Sequence, residues 1–291
     1  MTIAELQSRF ALDGVTIRPG HGGLPTIVIH NPSASAEVYC LGATVTHYAP
    51  KGHEPILFVS QKSHFQEGKA IRGGIPICWP WFGPKPDDPG APQHGLVRSR
   101  LWQVDAIRPI DDLRTELQLS IRVGDLAASC FVRVGPELQV SLRSENLGTT
   151  TARLEEALHT YLRVGDSRQV RIEGLAGVDY IDKVAGQARK QQPPEPVTFV
   201  AETDRVYLNT ESPCVLIDPV LRRRITIDKS GSRSTVVWNP WIDKSRTLTD
   251  FGDEEWQQMC CIETANVADN HLLLSAGQAH AISATIRVER L

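Results

Sequence analysis

Short runs of alternating apolar and polar residues recur along the chain, each closed by Gly, Pro, Asn or Asp. Thr26-Ile27-Val28-Ile29, Glu116 to Ile121, Leu138-Gln139-Val140-Ser141-Leu142 and Val170-Arg171-Ile172 are examples, and Ala281 to Val288 repeats the theme near the C-terminus. Successive side chains of a strand point to opposite faces, so this pattern predicts antiparallel strands with one buried face. Turn residues at such spacing favour a sandwich or barrel. Helical signal is sparse: Ile3–Leu12 and Asp253–Met259 are the two segments expected to be helical. Strands do not alternate with long amphipathic helices, which counts against a parallel α/β fold. The chain is therefore expected to be all-β, a large antiparallel β-sandwich with few short helices.

Two proline-rich stretches, 84–92 and 191–196, cannot continue a ladder because proline has no N–H to donate. Similar strand patterns flank both, so they read as loops inside one domain spanning 1–291 rather than as linkers.

Composition narrows the function. The 291 residues carry 31 Lys+Arg and 34 Asp+Glu, a net charge of −3, with 41% hydrophobic residues. No overall positive field attracts nucleic acid or an anionic membrane. The one basic cluster, Arg222-Arg223-Arg224, reads as a solvated strand edge or turn. No stretch is long enough to span a bilayer, and the N-terminus lacks the apolar core of a signal peptide. Six cysteines without a C-x-x-C pair suit buried thiols in a reducing compartment. Cytoplasmic localisation is expected, with no nucleic-acid or membrane partner, and the chain is expected to act as a monomer.

Four segments stand out chemically. The first, RGGIPICWPWFG (72–83), joins paired glycines to three aromatics and two prolines. Taken alone it reads as a packed corner of a β-protein. The second, QHGLVRSR (93–100), puts polar and cationic groups directly after the proline loop, where an aromatic wall and hydrogen-bonding groups together suit a sugar. The third, LEEALHTYLR (154–163), places Leu154, Leu158 and Leu162 on one strand face and Glu155, Ala157, His159 and Tyr161 on the other. That parity turns His159 away from the leucines, and a structural histidine is the simpler reading from this strand alone. The fourth, CCIETANV (260–267), holds Glu263 in an apolar strand, where an unpaired carboxylate is costly. A structural ion pair and a general base with a shifted pKa remain equally open for Glu263. There is no phosphate-binding glycine loop and no H-E-x-x-H, so any phosphate is left to side chains such as arginine.

In this order the four segments resemble the glucose-6-phosphate 1-epimerases of the aldose 1-epimerase superfamily. The matching pieces are RGGIPICWPWFG, PQHGLVRSRLW (92–102), EALHTYLRVGD (156–166) and VVWNPW through CIETANV (236–267). The resemblance implies a β-sandwich of the galactose-mutarotase type that interconverts the α and β anomers of a hexose 6-phosphate, a small-molecule sugar-phosphate partner, and no cofactor or metal. It implies that His159 is the acid that protonates the ring oxygen and Glu263 the base at the anomeric hydroxyl. Arg72 and Arg98 would hold the 6-phosphate, and Gln93, His94 and Asp204 would surround the sugar. A mutarotase for unphosphorylated aldoses and a non-catalytic carbohydrate-binding protein on the same fold are the competing expectations.

Overall fold

The computed structural model describes residues 1–85 and 87–291; Pro86, in the first proline-rich loop, lies outside the described residues. Two eight-stranded antiparallel sheets hold most of the strands. The first runs in the order Ala188–Gln191, Asp179–Asp182, Thr203–Tyr207, Ser234–Asn239, Met259–Asn266, Glu156–Leu158 and Ile77–Cys78, with Tyr161–Arg163 also pairing with Met259–Asn266. The second runs Arg171–Glu173, Cys214–Asp218, Arg223–Ser230, Ala279–Arg290, Leu138–Asn146, Leu126–Val134, Arg114–Val123 and Gln103–Asp111. A four-stranded sheet from the first fifty residues adds to the sandwich.

One hydrophobic cluster joins the sheets. It takes Leu158, Leu162, Val237 and Ile262 from the first, and Leu142, Leu216, Ile225 and Ile282 from the second. The predicted alternation is visible in Leu138–Asn146, whose odd positions in that strand are buried. Met259–Asn266 is different, buried at every position. Its Cys260 and Ile262 join the core shared with the second sheet, while Cys261 and Ala265 belong to separate, smaller clusters. A strand covered on both sides reads as a continuous apolar run, as the first half of this one, Met259 to Ile262, does in the sequence.

The N-terminal helix is shorter than expected, Ile3–Arg9, and begins with a capping box between Thr2 and Glu5. In the 253–259 stretch the helical part is a single 3₁₀ turn, Glu255–Gln258. A helix that the hydrophobic pattern did not signal, Trp241–Thr247, follows Pro240. The reading of the arginine cluster needs correction at its centre. Arg222 does occupy a turn, but Arg223 is buried and donates to the carbonyls of Pro55 and Arg163. The strand that starts at Arg223 points this side chain inward, where backbone oxygens compensate the charge. All six cysteines are buried free thiols. None of the described helices is long and apolar enough to cross a membrane.

Candidate active site

Strand register builds the centre of the site. Glu156 pairs with Asn266, Ala157 with Ala265 and Leu158 with Thr264; after a two-residue break, Tyr161 pairs with Cys261. Continued across the break, the same register sets His159 opposite Glu263. Side chains directly opposite share a face and meet, and His159 Nε2 lies 3.5 Å from Glu263 Oε1. Within the break, His159 N–H donates to Pro76 O at 2.9 Å and Ile262 N–H donates to Thr160 O at 3.2 Å. The predicted parity holds: Leu154, Leu158 and Leu162 lie in the main core, while Ala157 and Tyr161 belong to clusters on the other face.

The remaining walls come from loops fixed by close backbone contacts. Gly74 adopts φ +69°, and a Cβ there would lie 2.2 Å from Val45 O, so only glycine lets this segment pass. Arg72 is thereby held at the pocket edge. Gly95 has φ +80°, and a Cβ there would lie 2.0 Å from Trp79 O. That approach seats the preceding His94, whose Nδ1 accepts from Gly83 N–H at 3.3 Å and whose ring meets Phe82 edge-on at 4.7 Å. Glu155, on the His159 face, accepts from Phe82 N–H at 3.0 Å and Ala268 N–H at 3.2 Å, tying the aromatic loop to the sheet.

The result is a pocket of about 340 Å³. All seven predicted site residues line it: Arg72, Gln93, His94, Arg98, His159, Asp204 and Glu263. Asp204 comes from Thr203–Tyr207, paired with Trp238 of the next strand, which in turn pairs with Cys261. Sequence reasoning missed Lys183, Trp238 and Lys244, which also line the pocket. Lys183 Nζ lies 3.6 Å from Asp204 Oδ2 and 5.2 Å from the centre of the Phe82 ring. It sits just after a strand, in no motif, and only its neighbours in space mark it.

The two arginines differ. Arg72 Nη1 donates to Tyr161 Oη at 3.2 Å and its Nη2 lies 3.1 Å from Asp250 Oδ1. A guanidinium has five N–H donors, so this one is fixed in orientation with donors to spare. Arg98 donates to Gln93 O at 2.9 Å and has no carboxylate partner among the described residues.

Burial governs the electrostatics. It pushes the Glu263 carboxyl well above its ordinary pKa; Asp204 adds to the rise, and Lys183 and Arg98 oppose it. It pulls the His159 imidazole well below its ordinary value, and the Arg98, Arg72 and Lys183 charges pull the same way. His94 is lowered for the same reasons, burial first and then Arg98. Burial also raises Asp204, against the nearby Lys183. At the centre both directions favour an uncharged pair, a carboxylic acid beside a neutral imidazole. Its Nδ1 and Oε2 are buried with no hydrogen-bond partner among the described residues. Each side chain therefore meets the other through its inner atom and keeps its outer polar atom uncommitted.

This sandwich is that of galactose-mutarotase-like proteins. A protein so described from Clostridium acetobutylicum matches with a TM-score of 0.74 at 12% identity, over 95% of this chain and 98% of the other. The crystal structure of a "putative mutarotase" from Salmonella typhimurium matches more fully: TM-score 0.89, 29% identity, 97% of this chain and 95% of the other. The chain belongs to the aldose 1-epimerase family, whose sequence model matches residues 25–287. Relatives named "Putative glucose-6-phosphate 1-epimerase" include one from Cenchrus ciliaris, 35% identical over 263 residues (84% of this chain, 79% of the other). Another, from Escherichia coli, is 34% identical over 275 residues (92% and 91%).

Proposed function

We propose that the protein interconverts the α and β anomers of a hexose 6-phosphate, with glucose 6-phosphate as the expected substrate. The observation that carries this is the convergence of His159 and Glu263, 3.5 Å apart, in a pocket that also presents Arg72, Arg98 and Lys183. Ring opening requires one proton removed from the C1 hydroxyl and one delivered to the ring oxygen O5. Both oxygens are bonded to the same carbon, so acid and base must converge on one point.

Glu263 takes the hydroxyl proton while His159 protonates O5 and the C1–O5 bond breaks. The aldehyde turns about C1–C2, and closure on its other face runs with the roles reversed. The pair ends with the proton count it began with. Its competent form, carboxylate beside imidazolium, arises by passing one proton from Glu263 to His159 within the pair. Each acid or base contributes about 10²–10⁴-fold.

Arg98, with no carboxylate partner among the described residues, and Arg72, pre-oriented by Tyr161 and Asp250, are assigned to the phosphate. Phe82 and Trp238 supply apolar surface for a sugar face, and His94, Gln93 and Asp204, with Lys183, read its hydroxyls. Residues 1–291 are taken to work as one domain, since the site draws on positions 72 to 263. The six free thiols support a reducing cytoplasm.

NMR exchange between the anomers of glucose 6-phosphate tests the proposal. Acceleration above buffer supports it, and its absence leaves a non-catalytic carbohydrate-binding protein. Equal rates with free glucose would shift the assignment to unphosphorylated aldoses.

A further inference from the structure

Tyr161 lies behind the pocket wall, yet it touches both halves of the site. Its ring stacks on His159 with centroids 4.7 Å apart and planes 11° from parallel. Trp238 meets both rings edge-on, at 6.0 Å from His159 and 5.9 Å from Tyr161. The imidazole is therefore boxed by one parallel and one perpendicular aromatic, which fixes the plane in which it can give or take a proton.

The other end of Tyr161 faces Arg72. The phenol oxygen accepts from Arg72 Nη1 at 3.2 Å, while Asp250 takes the opposite arm of the fork at 3.1 Å. Burial raises the Tyr161 pKa, so the group stays a neutral phenol and acts toward Arg72 as an acceptor. The backbone repeats the connection: Tyr161 N–H donates to Gly74 O and His159 N–H to Pro76 O, both at 2.9 Å. The segment carrying Arg72 and the segment carrying His159 thus move together.

We propose that Tyr161 is a positioning residue joining the anion-recognising arginine to the proton-transferring histidine. The inference rests on the function proposed above. The hydroxyl sets the guanidinium and so governs phosphate affinity. The ring sets the imidazole and so governs the chemical step. The two parts can be removed separately.

The experiment measures anomer exchange of glucose 6-phosphate and of glucose with wild type, Tyr161→Phe, Arg72→Gln, the double variant and Tyr161→Leu. Removing a hydrogen bond to a charged group costs roughly tenfold or more. Tyr161→Phe is expected to raise KM for glucose 6-phosphate by about that factor while kcat falls less than about threefold. The ratio of kcat/KM for phosphorylated over free sugar falls with it. In the Arg72→Gln background the same change should cost nothing further, because the hydroxyl acts through Arg72. Tyr161→Leu should in addition lower kcat by about 10²-fold through the displaced imidazole. If that variant does not fold, Tyr161→Phe decides alone, since it deletes one oxygen and keeps the stack. Unchanged selectivity in Tyr161→Phe, or additive losses in the double variant, would overturn the inference while leaving the enzyme assignment intact. An inactive wild type would instead remove the function and this inference with it.

Discussion

His159, in the break between two strand segments that pair with the Glu263 strand, meets Glu263 with Nε2 to Oε1 at 3.5 Å, and the outer atoms of both side chains have no hydrogen-bond partner among the described residues. The pair is costly to bury and chemically poised. Burial drives the carboxyl up and the imidazole down, and both directions favour an uncharged pair. A single proton shift between the two groups would produce the ionised form on which the proposed ring opening draws.

Glu263→Gln is expected to lower anomer exchange by about 10²–10⁴-fold and to make the protein more stable at alkaline pH. The folded-state pKa of Glu263 lies above its unfolded value. The folded state therefore binds the proton more tightly, and stability is lost as pH rises from the ordinary carboxyl range through the raised value. Glutamine resembles the protonated acid and does not titrate. Thermal melts of both proteins at pH 5 and pH 9 should show a gap that widens with pH. A constant gap would mean that the carboxyl is not buried as described.

The pH profile gives a second check. Activity needs the singly protonated pair, so kcat/KM should be bell-shaped, with limbs that belong to the pair rather than to either residue. Arg98 lowers both members: it opposes the rise of Glu263 and deepens the fall of His159. Removing a nearby cation favours the protonated form of each, so Arg98→Ala should move both limbs to higher pH and raise KM. Arg98→Lys should restore the position of the limbs more than the affinity, because an ammonium cannot make a forked contact. A shift to lower pH would contradict the electrostatics.

Much of this was legible in the sequence, and the reasons for the rest are specific. The alternating runs at 116–121, 138–142 and 281–288 all fall in strands of the second sheet, and parity correctly turned His159 from Leu158 and Leu162. Glu263 was recognisable as an acid in an apolar strand. Local pattern did not give their juxtaposition, which depends on the pairing of segments about a hundred residues apart; only the family resemblance coupled them as acid and base. Lys183 escaped because its meaning lies in Asp204 and Phe82, neither adjacent in the chain. Arg223 was misread because three consecutive arginines suggest solvent, whereas strand parity sends the middle one to buried carbonyls.

Lys183 is expected to matter to binding more than to chemistry. It is the close cation for Asp204, a carboxyl that burial already raises. Lys183→Met would push Asp204 further up and weaken it as an acceptor for sugar hydroxyls. A charged hydrogen bond is worth about 1.5–3 kcal/mol, so KM should rise by about tenfold or more, with kcat much less affected. Lys183→Arg should recover part of the loss. A fall in kcat at constant KM would place Lys183 in the proton-transfer step instead.

The sharpest contrast lies between two buried glutamates on neighbouring strands. Glu156 faces the core on the Leu158 side, and its carboxylate is fully engaged. Ser144 Oγ donates to Oε2 at 2.6 Å, Asn266 Nδ2 to Oε1 at 3.1 Å, and His280 Nδ1 lies 2.9 Å from Oε1. Trp79 Nε1 extends the network by donating to Ser144 at 3.0 Å. Removing one member of such a network strands the others, so Glu156→Ala should cost about 3–5 kcal/mol, read from the midpoint of a urea titration. The fraction that remains folded should keep its kcat, because none of these groups lines the pocket. Glu263→Gln should do the reverse, losing activity while gaining stability at alkaline pH. Burial does not separate the two acids, since Glu156 is 0% and Glu263 1% exposed. The number of donors each carboxyl meets separates them, and stability and turnover measured on the same two variants would show whether that count assigns their roles.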